Sequence, residues 1–330
     1  MHVLLWLVSE TDRCSSAGGD GRGQVSLNSG DGRGLLSALE GSVDAMVCDL
    51  QSCELDAHGY CLYIGQPGGP EGWPDDAIYC VDNGDSTVRK FTPEGELLAE
   101  WGGRGSEPGQ LSSPTGIVVG PDGRTYVAES GGHRVQVFSS DGTFLDAWGT
   151  LGDGPGEFAS AMTVALDDEM RAYVSDWGNS RVQVFDNAGQ FLHQIGAPGT
   201  GLQEMTNPTG VAIGPEGDLW VMDRGNSRIQ RFTLDGEFVQ LWTRAGEGVF
   251  MSPTNITFDK DGNWWVSEFT GHRVRQFSPD GELLFELAPG TFRGPHGLLF
   301  DSTGALYVAD TGNGVVRKFR LSQPTPAAAP

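Results

Sequence analysis

The sequence predicts an all-β protein, a six-bladed β-propeller with four-stranded antiparallel blades, from two phased regularities. An aromatic residue at the centre of a short apolar run recurs with gaps of 47, 47, 47, 45 and 42 residues, at Tyr79, Tyr126, Tyr173, Trp220, Trp265 and Tyr307. A phenylalanine follows each of them twelve residues later, at Phe91, Phe138, Phe185, Phe232, Phe277 and Phe319. A period in the forties is typical of propeller blades.

The stretch from Met205 to Val249 shows what one repeat contains. Its four runs of β-type residues are Gly210 to Ile213, Leu219 to Met222, Arg228 to Phe232 and Phe238 to Trp242. Turn signals such as Pro-Glu-Gly and Asp-Gly separate the runs, which predicts an antiparallel meander. One such sheet cannot bury both faces by itself, so the six units must stack around a channel.

The ends of the chain depart from the repeat. Residues 1–42 are rich in Gly and are expected to be mobile, residues 43–320 form the propeller, and the Pro/Ala tail of residues 321–330 is expected to be disordered. Blade six stops after Phe319 without a fourth strand. Thirteen residues separate the outer strand's end at Trp101 from the next blade's opening at Pro114, and the same spacing predicts Val43 to Val47 as the strand that closes the ring.

Composition limits the partners. A formal charge of −23 repels phosphate backbones and anionic lipid, so we expect no nucleic-acid and no membrane partner. The apolar start, His2 to Val8, lacks a basic flank and a cleavage site, which favours a cytoplasmic monomer while leaving secretion open. The five cysteines match neither a zinc pattern nor a disulfide framework, and Cys61 and Cys80 are expected to be buried thiols.

The blade core, as in Val127 to Phe138 (VAESGGHRVQVF) and Met222 to Phe232 (MDRGNSRIQRF), resembles the NHL repeat family. The first blade, AHGYCLYI followed by IYCVDNGDSTVRKFTPEGELL, resembles the peptidyl-α-hydroxyglycine α-amidating lyases. That resemblance implies a lyase whose zinc is held by three histidines that open the innermost strands of alternate blades. His58 matches the first of them, but Met162 and Thr254 stand at the other two positions.

A second histidine, His296, occupies the opening position of blade six, which neighbours blade one in a closed ring. We predict a ligand-binding channel mouth formed by the opening residues and one neighbour: His58, Thr115, Met162, Thr209, Thr254, Asn255 and His296. His58 and His296 are the candidate metal ligands there, for zinc or calcium. The alternative is that these side chains only hydrogen-bond turn backbone.

An acidic residue closes the second strand of every blade, and an arginine follows it five positions later in four blades. Because the pattern repeats, we interpret these residues as structural ion pairs: Glu129 with Arg134, Asp176 with Arg181, Asp223 with Arg228, and Glu268 with Arg273. The pairing fails at Asp82 and Asp310. Three further arginines, two positions along the third strand in blades one, five and six, are predicted to bind ligand: Arg89, Arg275 and Arg317.

Two functions from different classes remain open. The missing histidines favour a non-catalytic NHL-type propeller that binds a protein, peptide or small molecule at its channel mouth. The alternative is a metal-dependent lyase or hydrolase related to the amidating lyases, with an altered site. Whether the protein is an enzyme is therefore left undecided by the sequence, because a propeller supports many activities.

Overall fold

The computed structural model describes residues 5–7, 43–45, 61–65, 77–243 and 248–321, the first three ranges by their backbone alone. It confirms the six-bladed β-propeller, with six antiparallel sheets whose strands follow one another in chain order. First strands of neighbouring blades contact one another, so they line the channel. The predicted site residue His58, the loop containing Trp73, residues 8–42 and residues 322–330 lie outside the described residues.

The strands of the blades are given from the channel outward. First strands are Cys61–Gly65, Pro114–Val119, Ala161–Leu166, Val211–Ile213, Pro253–Phe258 and Pro295–Phe300. Second strands are Ile78–Asp82, Thr125–Glu129, Ala172–Asp176, Leu219–Asp223, Trp264–Glu268 and Ala305–Asp310. Third strands are Thr87–Phe91, Arg134–Phe138, Arg181–Phe185, Arg228–Phe232, Arg273–Phe277 and Val315–Leu321. Fourth strands of blades one to five are Leu97–Gly102, Phe144–Trp148, Phe191–Ile195, Phe238–Trp242 and Leu283–Leu287.

A strand from the start of the chain completes blade six. Val43–Ala45 pairs antiparallel with the third strand, Val43 opposite Leu321 and Asp44 opposite Arg320. The ring is therefore closed by an N-terminal strand that begins at the predicted residue. Leu5–Leu7 lies parallel to this strand on its outer side.

The hydrophobic core is divided into six clusters, one at each junction between blades. Alternate residues of a strand point to opposite faces of a sheet. In blade one Tyr79 and Val81 therefore pack toward blade two, whereas Ile78 and Cys80 pack toward blade six. Tyr307 of blade six lies in the same cluster as Ile78, which joins the last blade to the first. This alternation is why the sequence shows long apolar runs in its second and third strands.

The connectors between blades repeat a small fold of their own. Two short parallel pairs lie in the connectors that follow blades two and three, Thr150–Leu151 with Glu157–Phe158 and Ala197–Pro198 with Glu204–Met205. A single bridge between Arg104 and Leu111 occupies the same place after blade one. Two three-residue 3₁₀ turns, Arg224–Asn226 and Thr311–Asn313, follow the second strands of blades four and six.

Cys80 corrects one expectation. It is buried at the junction of blades six and one, but it is disulfide-bonded instead of being a free thiol. A cluster of cysteines with no recognisable spacing hid this bond, because disulfide connectivity cannot be deduced from sequence alone. Within the part of the chain that the structure describes, no helix has the length and hydropathy needed to cross a bilayer.

Removing residues 1–56 deletes Val43–Ala45 and leaves the third strand of blade six as an open edge. We expect a loss of about 2–3 kcal/mol, which lowers the Tm of a domain of this size by roughly 3–5 °C. Calorimetry beside a control that lacks residues 322–330 measures the difference. An unchanged Tm in the first variant would show that the closing strand does not stabilise the ring.

Candidate functional site

A carboxylate is buried at the end of every second strand. The six residues are at most 1% exposed: Asp82, Glu129, Asp176, Asp223, Glu268 and Asp310. Pro114, the first residue of its strand, lies opposite Glu129, the last residue of the next strand. The carboxylates therefore lie at the same end of the ring as the predicted channel mouth.

In blades two to six these carboxylates hold the connector that enters their own blade. Glu129 Oε2 accepts a hydrogen bond from the Ser112 N–H at 2.6 Å, and Asp310 Oδ1 accepts one from the Arg293 N–H at 2.7 Å. The equivalent backbone donors in blades three, four and five are Ser160, Thr206 and Met251. A buried carboxylate needs such partners, because an unpaired buried charge is costly.

The four ion pairs predicted from the sequence lie within ion-pair distance. The nitrogen-to-oxygen distances are 2.7 Å for Arg134 and Glu129, 3.2 Å for Arg181 and Asp176, 2.6 Å for Arg228 and Asp223, and 3.0 Å for Arg273 and Glu268. Arg181 Nη2 also donates to the carbonyls of Gly154 and Glu157, both at 2.8 Å. Each such arginine thus ties the carboxylate and the connector together.

The three arginines predicted to bind ligand each contact the carboxylate of their own blade. Arg89 Nη1 is 2.8 Å from Asp82 Oδ2, and Arg317 Nε is 2.7 Å from Asp310 Oδ2. Arg275 forms an ion pair with Glu268. Positions five and seven after the acid share one face of the third strand, so an arginine at either position reaches the carboxylate. The pairs that seemed to fail in blades one and six are therefore made from the second position.

The mouth threonines connect neighbouring blades. Thr115 Oγ1 donates to the Ala161 carbonyl at 3.0 Å, and Thr209 Oγ1 donates to the Pro253 carbonyl at 3.1 Å. Thr254 Oγ1 lies 3.2 Å from the Pro295 carbonyl. All three are buried. These hydrogen bonds agree with the alternative interpretation, in which the side chains of the opening residues hydrogen-bond the backbone.

The remaining mouth residues differ from the threonines. Met162 and Asn255 are half-buried. In blade three the inter-blade hydrogen bond comes from the next residue along, Thr163, whose Oγ1 donates to the Thr209 carbonyl at 2.6 Å. A shift of one residue in that blade therefore leaves Met162 free of the linking role.

His296 belongs to a small cluster contributed by three blades, in which Phe269 contacts both of the other members. The His296 ring is 8% exposed and meets the ring of Phe269, of blade five, edge to face with the centroids 4.8 Å apart. The guanidinium of Arg224, of blade four, lies over the Phe269 ring, 5.2 Å from its centroid. Burial, together with the positive charge of Arg224, lowers the pKa of His296 to about 3. The imidazole is therefore neutral at neutral pH.

Sequence reasoning missed Arg224 and Phe269, although a signal was available. Both directly follow the carboxylate of their blade, a position that differs in every blade: Asn83, Ser130, Trp177, Arg224, Phe269 and Thr311. Two of the small polar residues serve the frame, since Asn83 Nδ2 donates to the Pro114 carbonyl and Ser130 Oγ to the Ser113 carbonyl. Trp177, Arg224 and Phe269, the larger residues at this position in blades three to five, depart from that pattern.

A metal finds few ligands near His296 among the described residues. Within residues 77–243 and 248–321, no three His, Cys, Asp or Glu side chains are grouped so that they could hold an ion. The two loop histidines are occupied by backbone: His133 Nδ1 is 2.9 Å from the Ala159 carbonyl, and His272 Nδ1 accepts from the Gly294 N–H at 2.9 Å. The described residues alone therefore do not fit a three-ligand zinc or calcium site.

A β-propeller with one buried histidine at its mouth belongs to a fold used by enzymes and binding proteins alike. The particular family is shown by sequence: this chain belongs to the virginiamycin B lyase family, whose model matches residues 68–318. This family match does not show the NHL repeat or the amidating-lyase resemblance that the sequence suggested. A search of curated protein sequences gave no match.

Solved structures of similar fold include two lyases. One is a catalytically inactive histidine-to-alanine variant of virginiamycin B lyase from Staphylococcus aureus with quinupristin, at 18% identity and a TM-score of 0.58, covering 82% of each chain. A streptogramin B lyase is 18% identical with a TM-score of 0.59, covering 85% of this chain and 97% of that one. A gluconolactonase from Xanthomonas campestris is 16% identical with a TM-score of 0.60, covering 84% and 90%. At these identities the likenesses show the fold.

Replacing Arg181 by alanine tests the structural role of the ion pairs. We expect a loss of about 1–3 kcal/mol in the free energy of unfolding, because Asp176 and two connector carbonyls lose their donor. Arg124→Ala is the control, since its pair with Asp122 is at the surface and contributes less than about 1 kcal/mol. Equal losses in urea unfolding of the two variants would contradict a special role for Arg181.

Proposed function

We propose that this protein is a lyase whose reaction centre lies at the channel mouth beside His296. The observation that carries the proposal is a neutral, buried imidazole at the opening of blade six, in a chain that belongs to a family of lyases. Among the opening residues of the described first strands, His296 is the one side chain that can take up a proton. A reaction at this face therefore depends on it.

In this proposal His296 acts as a general base. A lyase breaks a bond by elimination: a proton leaves one carbon, a double bond forms, and the leaving group departs from the neighbouring atom with the bonding electrons. A neutral imidazole can accept that proton. A pKa near 3 makes the free ring a weak base, but an anionic group bound beside it favours the charged form and raises that pKa.

The comparison with virginiamycin B lyase supports a histidine in this role. In the Staphylococcus aureus protein, replacing one histidine by alanine gives a catalytically inactive enzyme, which was solved with quinupristin. The proposal for this chain is that His296 has a corresponding importance. The substrate itself is not carried over, since the sequences are 18% identical.

A binding module is the second candidate, and one observation favours it. The six carboxylates that close the second strands are each paired with an arginine, so none of them is left as a base beside His296. On that reading a peptide, protein or small molecule binds at the mouth without being cleaved. A metal held by His58 and His296 remains a proposal, since His58 lies outside the described residues.

The discriminating experiment uses His296→Ala, with His193→Ala as a control on the fourth strand of blade three. Purified proteins are incubated with quinupristin and with an α-hydroxyglycine peptide, and the products are followed by mass spectrometry. We expect wild type and the control to cleave one of them and His296→Ala to be slower by about 100-fold or more.

Cleavage that persists in His296→Ala would contradict the lyase proposal. Binding of either probe by the wild type without cleavage would favour the binding module. Zinc and calcium are measured in the same preparations, and an ion that is present in wild type but lost in His296→Ala would support the two-histidine site.

A further inference from the structure

Arg224 differs from the other arginines at the mouth end of the blades. The bracing arginines all contact a buried carboxylate, as described above. Arg224 has no carboxylate partner among the described residues, and its guanidinium lies against the ring of Phe269. Arg104 and Arg293, which also make no ion pair among the described residues, are exposed, whereas Arg224 is half-buried beside an aromatic ring. Its charge is therefore available to a ligand.

The backbone holds Arg224 in place without using its side chain. The residue begins a 3₁₀ turn directly after Asp223, and the next residue, Gly225, donates its N–H to the Thr206 carbonyl at 2.8 Å. Asp223 is fully buried and bound to Arg228. The turn is thus fixed to the frame of blade four, while the guanidinium is left with one aromatic contact.

The Phe269 ring packs against a glycine of the connector that enters blade six. A Cβ on Gly294 would lie 2.7 Å from Phe269 Cε2, which is too close for any other residue, and Gly294 has a φ of +60°. The glycine therefore leaves the space in which the Phe269 ring lies beside His296. Met251, whose N–H donates to Glu268, is 42% exposed and adds apolar surface close to the loop that contains Phe269.

We infer that Arg224, Phe269 and His296 form one binding site for a small ligand that carries a carboxylate next to an aromatic or other apolar group. Arg224 would pair with the carboxylate in the bidentate geometry that guanidinium favours. The apolar part of the ligand would lie against Phe269 and Met251. This inference deepens the proposed function, because it assigns a ligand class to the same face, and it rests on that face being the reaction centre.

Charge and position both favour this ligand class over the others considered. A cationic ligand would be repelled by Arg224 at the site itself. A polyanion such as nucleic acid would meet the net negative charge of the rest of the surface. A single carboxylate close to His296 would also supply the negative charge that a neutral imidazole needs in order to accept a proton.

The test compares an acid with its neutral analogue. N-acetyl-L-phenylalanine and its amide are titrated into wild type, Arg224→Gln and Arg320→Gln by calorimetry at neutral pH and low salt. Arg320→Gln is the charge-matched control, since Arg320 is exposed and lies opposite Ala305 at the far end of blade six from the mouth. Arg224→Gln should keep the wild-type Tm, because Arg224 makes no ion pair with the described residues.

We expect wild type and Arg320→Gln to bind the acid at least about tenfold more tightly than the amide, and Arg224→Gln to lose that preference. Phe269→Leu should weaken both probes alike. Equal affinity for acid and amide in wild type, a preference that survives in Arg224→Gln, or no binding of the acid at millimolar concentration would each overturn the inference. Turnover by His296 variants is a separate readout, so failure of the lyase proposal leaves a carboxylate preference intact and measurable.

Discussion

The buried carboxylate at the end of each second strand is the interaction on which the rest of this propeller depends. In blades two to six it accepts a backbone N–H from the connector that enters its own blade, and in every blade it is paired with an arginine of the third strand. The connector's own carbonyls are bonded by that arginine or by a neighbouring glutamine, as when Gln183 Nε2 donates to the Glu157 carbonyl at 2.7 Å. Sheet, connector and channel mouth are therefore fixed to one another by one buried charge per blade.

This constraint separates residues that build the frame from residues that are available for a ligand. Arg89, Arg275 and Arg317 look exceptional in the sequence because they stand two residues beyond the usual arginine, yet each forms an ion pair with the carboxylate of its blade. The mouth threonines look like channel-lining groups, yet they link neighbouring blades. The cluster of Arg224, Phe269 and His296 lies outside the frame at this end, and the functional proposals are placed there.

The sequence predicted the fold well because the packing of a propeller repeats from blade to blade. Aromatic residues such as Tyr79 and phenylalanines such as Phe91 recur wherever a sheet must bury both faces, so their spacing gave the blades, and the spacing of the connectors gave the closing strand at Val43. The site was harder to predict. Strand period two could have shown that Arg317 reaches Asp310, but the contact between Arg224 and Phe269 joins loops of different blades, and no local pattern encodes it. The one-residue shift from Met162 to Thr163 was hidden for the same reason.

The central claim is that the carboxylate of each blade can form its ion pair with an arginine at either of two positions on the third strand. Arginines at both positions are therefore structural. Blade six allows a direct measurement, because Val315 stands opposite Asp310, where blades two to five have an arginine. The free energy of unfolding is compared for wild type, Arg317→Val, and Arg317→Val combined with Val315→Arg. The account predicts a loss of about 1–3 kcal/mol in the single variant and recovery of at least half of it in the double variant. A double variant no more stable than the single one would contradict the claim and return Arg317 to the list of ligand-binding candidates.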